Sequence, residues 1–194
     1  LIASGIKFFQ EEAIIPERAD RPVFKLAPAL VLAATVALVV VVPFGPNMAF
    51  RNLELGLFYV LAISSLSTIG VLIAGWSSAN KYALIGSLRA AGQLIAYELP
   101  LVLSVVGGVI MAGTMNLDAI VQAQIASGIP YVVPQFLGFL IFFVAALAEL
   151  SRLPFDMPVA ESELVMGYLT EYTGFRFLSF FLAEFVNMFT MSAI

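Results

Sequence analysis

The chain has 194 residues, 61% of them hydrophobic and 11% charged, with a formal net charge of −4. Its mean hydropathy of +1.02 exceeds what a water-soluble fold of this size carries, because a globular domain must still clothe itself in polar surface. An integral membrane protein is therefore expected, and the absence of both Cys and His excludes disulfides, thiolate chemistry, His-ligated metals and imidazole acid–base work, leaving proton chemistry to carboxylates, Lys, Tyr and water.

Taken in order, residues 1–13 alternate Ile2, Ile6, Phe8 and Phe9 with Ser4, Lys7, Gln10, Glu11 and Glu12 at near-helical spacing. Too short and too polar to span, this stretch predicts an amphipathic helix lying at the interface. Residues 16–22 are bounded by Pro16 and Pro22 and are mostly charged, which predicts a loop. Five apolar stretches follow, at about 26–43, 55–75, 91–113, 132–150 and 175–194, each near the ~20 residues needed to cross ~30 Å of hydrocarbon. The expected fold is all-α, a polytopic transmembrane helix bundle forming a single membrane domain over 1–194, with an acidic loop at 151–174. The chain opens without Met, a basic n-region or a cleavage pattern and closes inside an apolar run, so the expectation is an internal segment of a longer membrane protein.

Assigning successive loops to alternate sides places Lys7, Arg18, Arg21, Lys25, Lys81, Arg89, Arg152 and Arg176 on one face and Arg51 on the other. That asymmetry marks the first face as cytoplasmic, or matrix in an organelle. No Gly-rich phosphate motif of the Walker or Rossmann kind is present, and the basic residues are too scattered for a nucleic-acid footprint.

Charge concentrates in one place. Residues 149–171 hold five carboxylates, Glu149, Asp156, Glu161, Glu163 and Glu171, against the single cation Arg152, and so account for the whole formal charge. Two further acids lie inside apolar stretches: Glu98, about seven residues into its span, and Glu184, close to the middle of the last one. A carboxylate at such a depth costs a few kcal/mol on insertion scales and so faces a cavity or a partner. Glu149 and Arg152 are spaced to pair across a helical turn if the helix persists. Clustered, partly desolvated carboxylates raise one another's pKa and become able to hold and relay protons near neutral pH. Phe177 and Phe181, one helical turn apart, are the aromatic residues best placed to line a hydrophobic tunnel.

The run Glu149-Leu150-Ser151-Arg152-Leu153-Pro154-Phe155-Asp156, followed by Glu161-Ser162-Glu163-Leu164-Val165 and Glu171-Tyr172, resembles the signature of the H-subunit family of proton-pumping NADH:quinone oxidoreductases, whose member in mitochondrial complex I is called subunit 1. Residues 75–78, 80–89 and 90–100 look like that family's other well-marked block. The resemblance implies a membrane protein that forms the membrane side of a quinone chamber and holds an acidic funnel for proton translocation. Carried over by motif, Glu98, Glu149, Asp156, Glu161, Glu163, Glu171 and Glu184 would be the funnel, Arg152 its counter-charge and Tyr97 a neighbour of Glu98. The helix at 1–13, with Lys7, and the Phe177/Phe181 face would border the quinone entrance.

On the same resemblance the chain binds no redox cofactor or metal, with NADH, FMN and iron–sulfur clusters on partner subunits and quinone as substrate. Its partners would be peripheral-arm quinone-site subunits, small membrane-arm subunits and lipid. Its location would be the bacterial plasma membrane, or the mitochondrial inner membrane if organellar. The fragment would hold the second to sixth of eight helices. Val159 and Ser4 stand where family members commonly carry acids. Two alternatives stay open: the homologous membrane component of a membrane-bound hydrogenase or ferredoxin-driven complex, and a stand-alone ion transporter, which would predict paired, interrupted helices in two halves. No internal repeat is visible.

Overall fold

The computed structural model describes residues 7, 8, 10–43, 45, 50–159 and 161–194, with the side chains of 161 and 162 outside the described set. Among the described residues the chain is helical with no strand: α1 (Arg21–Val39), α2 (Gly56–Ser77), α3 (Lys81–Ala112), α4 (Leu117–Ser127), α5 (Phe136–Glu149), the single turn α6 (Glu161–Leu164), a 3-10 turn (Gly167–Leu169) and α7 (Gly174–Ala193). This is the expected all-α membrane helix bundle. Three helices, α1, α2 and α3, are long and apolar enough to cross a bilayer, and α5 is apolar but shorter, at 14 residues. Large apolar side chains such as Ile110, Leu137 and Phe189 point outward, the reverse of a soluble fold and the arrangement that lipid favours.

Helix boundaries follow local chemistry. Pro22 sits at the start of α1, where its missing N–H costs nothing and its φ is already helical; the helix therefore begins inside the stretch expected to be loop. Asn80 caps α3, its side-chain oxygen accepting from Tyr82 N at 2.9 Å, so α3 starts ten residues before the apolar stretch does and places Glu98 midway along a 32-residue helix. Gly113, in the left-handed region at φ 69°, ends it. The helix α4 was not anticipated; Asn116 caps it and Gly128, again left-handed, closes it, yet none of its residues is buried. Of the expected interfacial helix, residues 1–6 and 9 lie outside the described set; Lys7, Phe8 and Gln10 are helical, and the chain leaves the helix at Glu11.

Hydrogen bonds between segments fix the relative directions. Asp20 N donates to Ser77 O at 3.2 Å, joining the start of α1 to the end of α2, and Leu57 N donates to Met115 O at 3.0 Å, joining the start of α2 to the end of α3. These three helices are therefore antiparallel neighbours. Gln93, early in α3, reaches Ala148 at the end of α5, and Tyr172, just before α7, stacks on Phe24 near the start of α1. One end of the bundle thus collects the start of α1, the end of α2, the start of α3, the end of α5 and the start of α7. Eight of the nine basic residues belong to this end, and Arg51, between α1 and α2, to the other.

Small residues let backbones approach there, as packing in lipid requires. Gly75 lies against Ser87, and Gly86 against Gly167; a Cβ on Gly86 would stand 2.6 Å from Gly167 Cα and 2.9 Å from Tyr168 N. Because the obstruction is backbone, Gly86→Val is expected to destabilise the protein by about 1–3 kcal/mol, as overpacking does, and to displace the 3-10 turn. Thermal unfolding in detergent checks this, with Gly92→Val as the control, since nothing lies within 4 Å of a Cβ there.

Candidate functional site: an acidic, aromatic-walled cleft

At the charged end, a cavity of about 570 Å³ opens between α3, the end of α5, the loop after it and α7. Its lining is mixed: polar Glu149, Arg152, Asp156, Tyr168, Glu184 and Asn187, and apolar Phe177, Phe180 and Phe181 from α7 with Val31, Val71, Leu94 and Val159. The position where the family resemblance implies an acid, Val159, is part of this lining; Ser4 lies outside the described residues.

The loop's course is set at the end of α5. Ser151 takes a left-handed conformation at φ 49°, ending the helix. The N–H of Arg152 then reaches back to Leu147 O at 3.0 Å. The expected helical pairing of Glu149 with Arg152 is therefore not formed. Instead Arg152 Nη2 lies 3.1 Å from Glu184 Oε1 on α7, and its guanidinium sits 5.6 Å from the Phe185 ring centroid. Both side chains of this pair are about one-third exposed, at 36% and 37%. The cation thus bridges two segments, and Asp156 and Glu149 share the same cavity.

Gln93 holds the loop in place. It is 4% exposed, and its Nε2 donates to Ala148 O at 2.7 Å and to Phe155 O at 2.9 Å, adding to the Ser151 N–H that already reaches Ala148 O at 3.1 Å and tying the loop at Phe155 to the end of α5. Tyr97 packs edge-on against Phe155 at 5.1 Å, supporting the same turn from the next helical position.

At the other end of the loop, Tyr172 lies parallel to Phe24 with ring centroids 4.2 Å apart, and its hydroxyl is 3.4 Å from Ser77 Oγ. Burial raises its pKa above the usual phenol value, against the opposing influence of Ser77, Ser78 and Arg176. Tyr168 packs edge-on to Phe180 at 5.7 Å and lines the cavity. Burial, and after it the Glu184 carboxylate, push its pKa well up, so its phenol stays protonated as a hydrogen-bond donor facing the cleft.

The acids expected to act together are divided. Glu149, Asp156 and Glu184 line the cleft with Arg152. Glu98 instead accepts a hydrogen bond from Ser65 Oγ on α2. Glu163 is exposed and pairs with Arg89 at 2.5 Å. Glu171 accepts from Asn80 Nδ2 at 2.5 Å, bordering a surface hollow with Arg18 and Lys81. The side chain of Glu161 lies outside the described set. Phe177 and Phe181 line the cleft and stack with centroids 6.2 Å apart, and Phe8 stacks on Phe177 at 5.6 Å. Lys7 does not line the cleft; it is exposed and lies 3.9 Å from Glu11.

Sequence reasoning did not single out Gln93, Tyr168 or Asn187. Gln93 and Asn187 are amides inside apolar helices, and that was the available signal: a polar side chain there needs a partner or a cavity. Among the described residues no group of three or more acidic or other metal-ligating side chains is arranged for a metal ion.

These features define a class: an all-α membrane helix bundle carrying a carboxylate-lined, aromatic-walled cleft at one end. The chain belongs to the NADH dehydrogenase family, whose family model matches residues 1–194. It is similar to the H-subunit of the NADH-quinone oxidoreductase of Brevibacillus brevis, 51% identical over 193 residues. It is likewise similar to the H-subunits of the same enzyme from Bacillus mycoides and Bacillus cytotoxicus, each 48% identical. In each case the match takes in 100% of this chain and 57% of the relative, so the chain spans just over half the length of these relatives.

Proposed function

We propose that this chain forms the membrane-side wall of a quinone chamber in a proton-pumping NADH:quinone oxidoreductase. The observation that carries the reading is that one cavity is lined by two chemistries. Its volume of about 570 Å³ falls within the range of small-molecule sites, about 300–1,000 Å³. Phe177, Phe180 and Phe181 offer an apolar wall suited to an isoprenoid tail, and Tyr168, Arg152 and the carboxylates offer hydrogen-bonding and proton-holding groups for a head-group. The family membership and the names of the relatives support the same reading, and favour it over a hydrogenase component or a free transporter.

Quinone reduction takes up two electrons and two protons. The electrons come from NADH by way of FMN and iron–sulfur centres on partner subunits, which dock at the charged end; small membrane-arm subunits and lipid cover the apolar flanks. The protons come from donors at the chamber wall. Asp156, Glu184 and Glu149 are the groups in the cleft that bind and release protons, and Arg152 sets their balance by neutralising one carboxylate at a time. Glu98, with Tyr97 nearby, and the loop acids Glu161, Glu163 and Glu171 extend the acidic path on either side. A bacterial plasma membrane is the location that the bacterial relatives support.

The test is kinetic. In the assembled enzyme, Phe181→Ala is expected to raise the KM for quinone by about threefold to tenfold, the range of one aromatic contact, with turnover at saturating quinone retained. An unchanged KM with both Phe177 and Phe181 replaced by Ala would overturn the assignment of this wall to the quinone.

A further inference from the structure

At the end of the bundle opposite the cleft, two apolar spaces adjoin. The inner one, of about 270 Å³, is lined by residues of α2, α3, α4 and α5 and by the end of α7. It gives α4, a helix with no buried residue, something to face: Leu117, Ile120 and Val121 are on its wall. The outer one, of about 520 Å³, is a groove between α3 and α5, bordered by the exposed side chains of Leu99, Leu103, Leu137 and Ile141. Ser104, Gln135 and Gly138 line both spaces. Gln135 rests against the bare backbone of Gly107, where a Cβ would stand 2.9 Å from its Nε2. Its side-chain amide makes no hydrogen bond among the described residues, and so has donors and an acceptor to offer.

Size selects the occupant. Along α3 the groove runs from Leu99 to Gly107, a rise of ~12 Å, close to the ~15 Å of hydrocarbon in one leaflet. A helix about 10 Å across would displace roughly 900 Å³ over that length, so the inner cavity admits a flexible chain and not a helix. Charge selects the head-group. The connections at this end carry Glu54 and Asp118 against Arg51, an excess of negative charge that repels an anionic head-group and favours one bearing an amine. We infer that this end of the bundle binds one phospholipid with a zwitterionic, amine-bearing head-group. One acyl chain fills the inner cavity, the other lies in the groove, and an ester oxygen between them accepts from the Gln135 amide.

The test uses the full-length protein in the assembled enzyme, reconstituted in vesicles of phosphatidylethanolamine and phosphatidylglycerol, one of the two carrying a diazirine at the end of an acyl chain. On illumination the ethanolamine probe is expected to label Val105 and Phe142, which line the inner cavity and are partly buried, out of reach of bulk lipid. The glycerol probe is expected to label them about fivefold less, the effect of one charge near a membrane surface. Gly108 lines the inner cavity with nothing within 4 Å of a Cβ, so the ring in Gly108→Phe can enter the space. Labelling of Val105 and Phe142 is then expected to fall by about tenfold or more, the effect of excluding about two methylenes from an apolar site. Labelling of Leu99 and Leu137 in the groove, and quinone turnover, are expected to be retained. A partner helix or a further segment of chain in place of the lipid would leave Val105 and Phe142 unlabelled in the wild type, which overturns the proposal whether or not the variant assembles. Equal labelling by the two probes overturns the head-group assignment, and undiminished labelling of Val105 and Phe142 in Gly108→Phe overturns the inner-cavity site.

Discussion

Arg152→Leu is expected to cut quinone-dependent turnover of the assembled enzyme by about tenfold or more, equivalent to at least ~1.4 kcal/mol of barrier. Electron transfer from NADH to a water-soluble acceptor should be unchanged. Arg152 is the only cation lining the cleft among the described residues, and it faces three carboxylates, Glu149, Asp156 and Glu184. Its removal leaves Glu184 without its partner at 3.1 Å beside two like charges, so protons must bind to relieve the repulsion. Groups that hold protons permanently no longer exchange them during turnover.

The stability cost should be about 1–2 kcal/mol, between the values for exposed and buried pairs, since both side chains are about one-third exposed. Two companion variants separate charge from geometry. Arg152→Lys keeps the cation and loses the planar fork, so it should recover part of the activity. Arg152→Leu combined with Glu184→Leu should restore stability, because no charge is stranded, without restoring turnover. If the single variant runs at full rate with quinone, the cleft is not where quinone chemistry meets the acids.

Gln93→Leu is the second large effect. It is nearly isosteric, but it removes the one amide that donates to Ala148 O and Phe155 O. Phe155 O loses this donor, at about 1–3 kcal/mol for a buried carbonyl left unsatisfied, while Ala148 O keeps the Ser151 N–H at 3.1 Å; the two carbonyls sit on either side of the Ser151 break. The loop from 151 to 156 should therefore leave α3, carrying Arg152 and Asp156 with it. Protease cleavage between Arg152 and Asp156 in detergent-solubilised protein should become faster by about tenfold or more, as expected when local opening becomes cheaper by ~1.4 kcal/mol. Gln93→Glu should lie in between, since a protonated acid donates once where the amide donates twice. Unchanged protection in Gln93→Leu would show that Tyr97 against Phe155 suffices to hold the turn.

How far the sequence revealed this arrangement depends on the kind of signal. The apolar stretches announced the long helices because burial in lipid demands continuous hydrophobicity, and the density of charge at 149–171 announced the cleft because acids in such a chain need a polar space. Pairings were hidden. Arg152 was spaced to meet Glu149 along a helix, but one left-handed residue, Ser151, turned it to Glu184. No one-dimensional pattern reports a helix break without Gly or Pro at the turning residue. The start of α3 was hidden for a related reason, since Asn80 caps a helix whose first turns, containing Lys81 and Arg89, are too polar to read as part of a span. The helix α4 carried the ordinary cap signals, Asn116 and Gly128, but lay in a stretch already read as a connection between spans. Gln93 and Asn187 were legible only as polar residues in apolar company, and the partners of Gln93, Ala148 and Phe155, lie 55 and 62 positions further along the chain.

The loop after α5 is moored at both ends. Gln93 ties down its beginning at Phe155, and Asn80, Ser77 and Phe24 tie down its end at Glu171 and Tyr172. Between these moorings runs the stretch 156–170, which contributes Asp156 and Tyr168 to the cleft and Glu163 to the outer surface, where it meets Arg89. It is pinned part-way as well, where Gly167 lies against Gly86 of α3, so Tyr168 reaches the cleft from a fixed point and the Glu163–Arg89 pair joins the same segment to α3 a second time on its outer side.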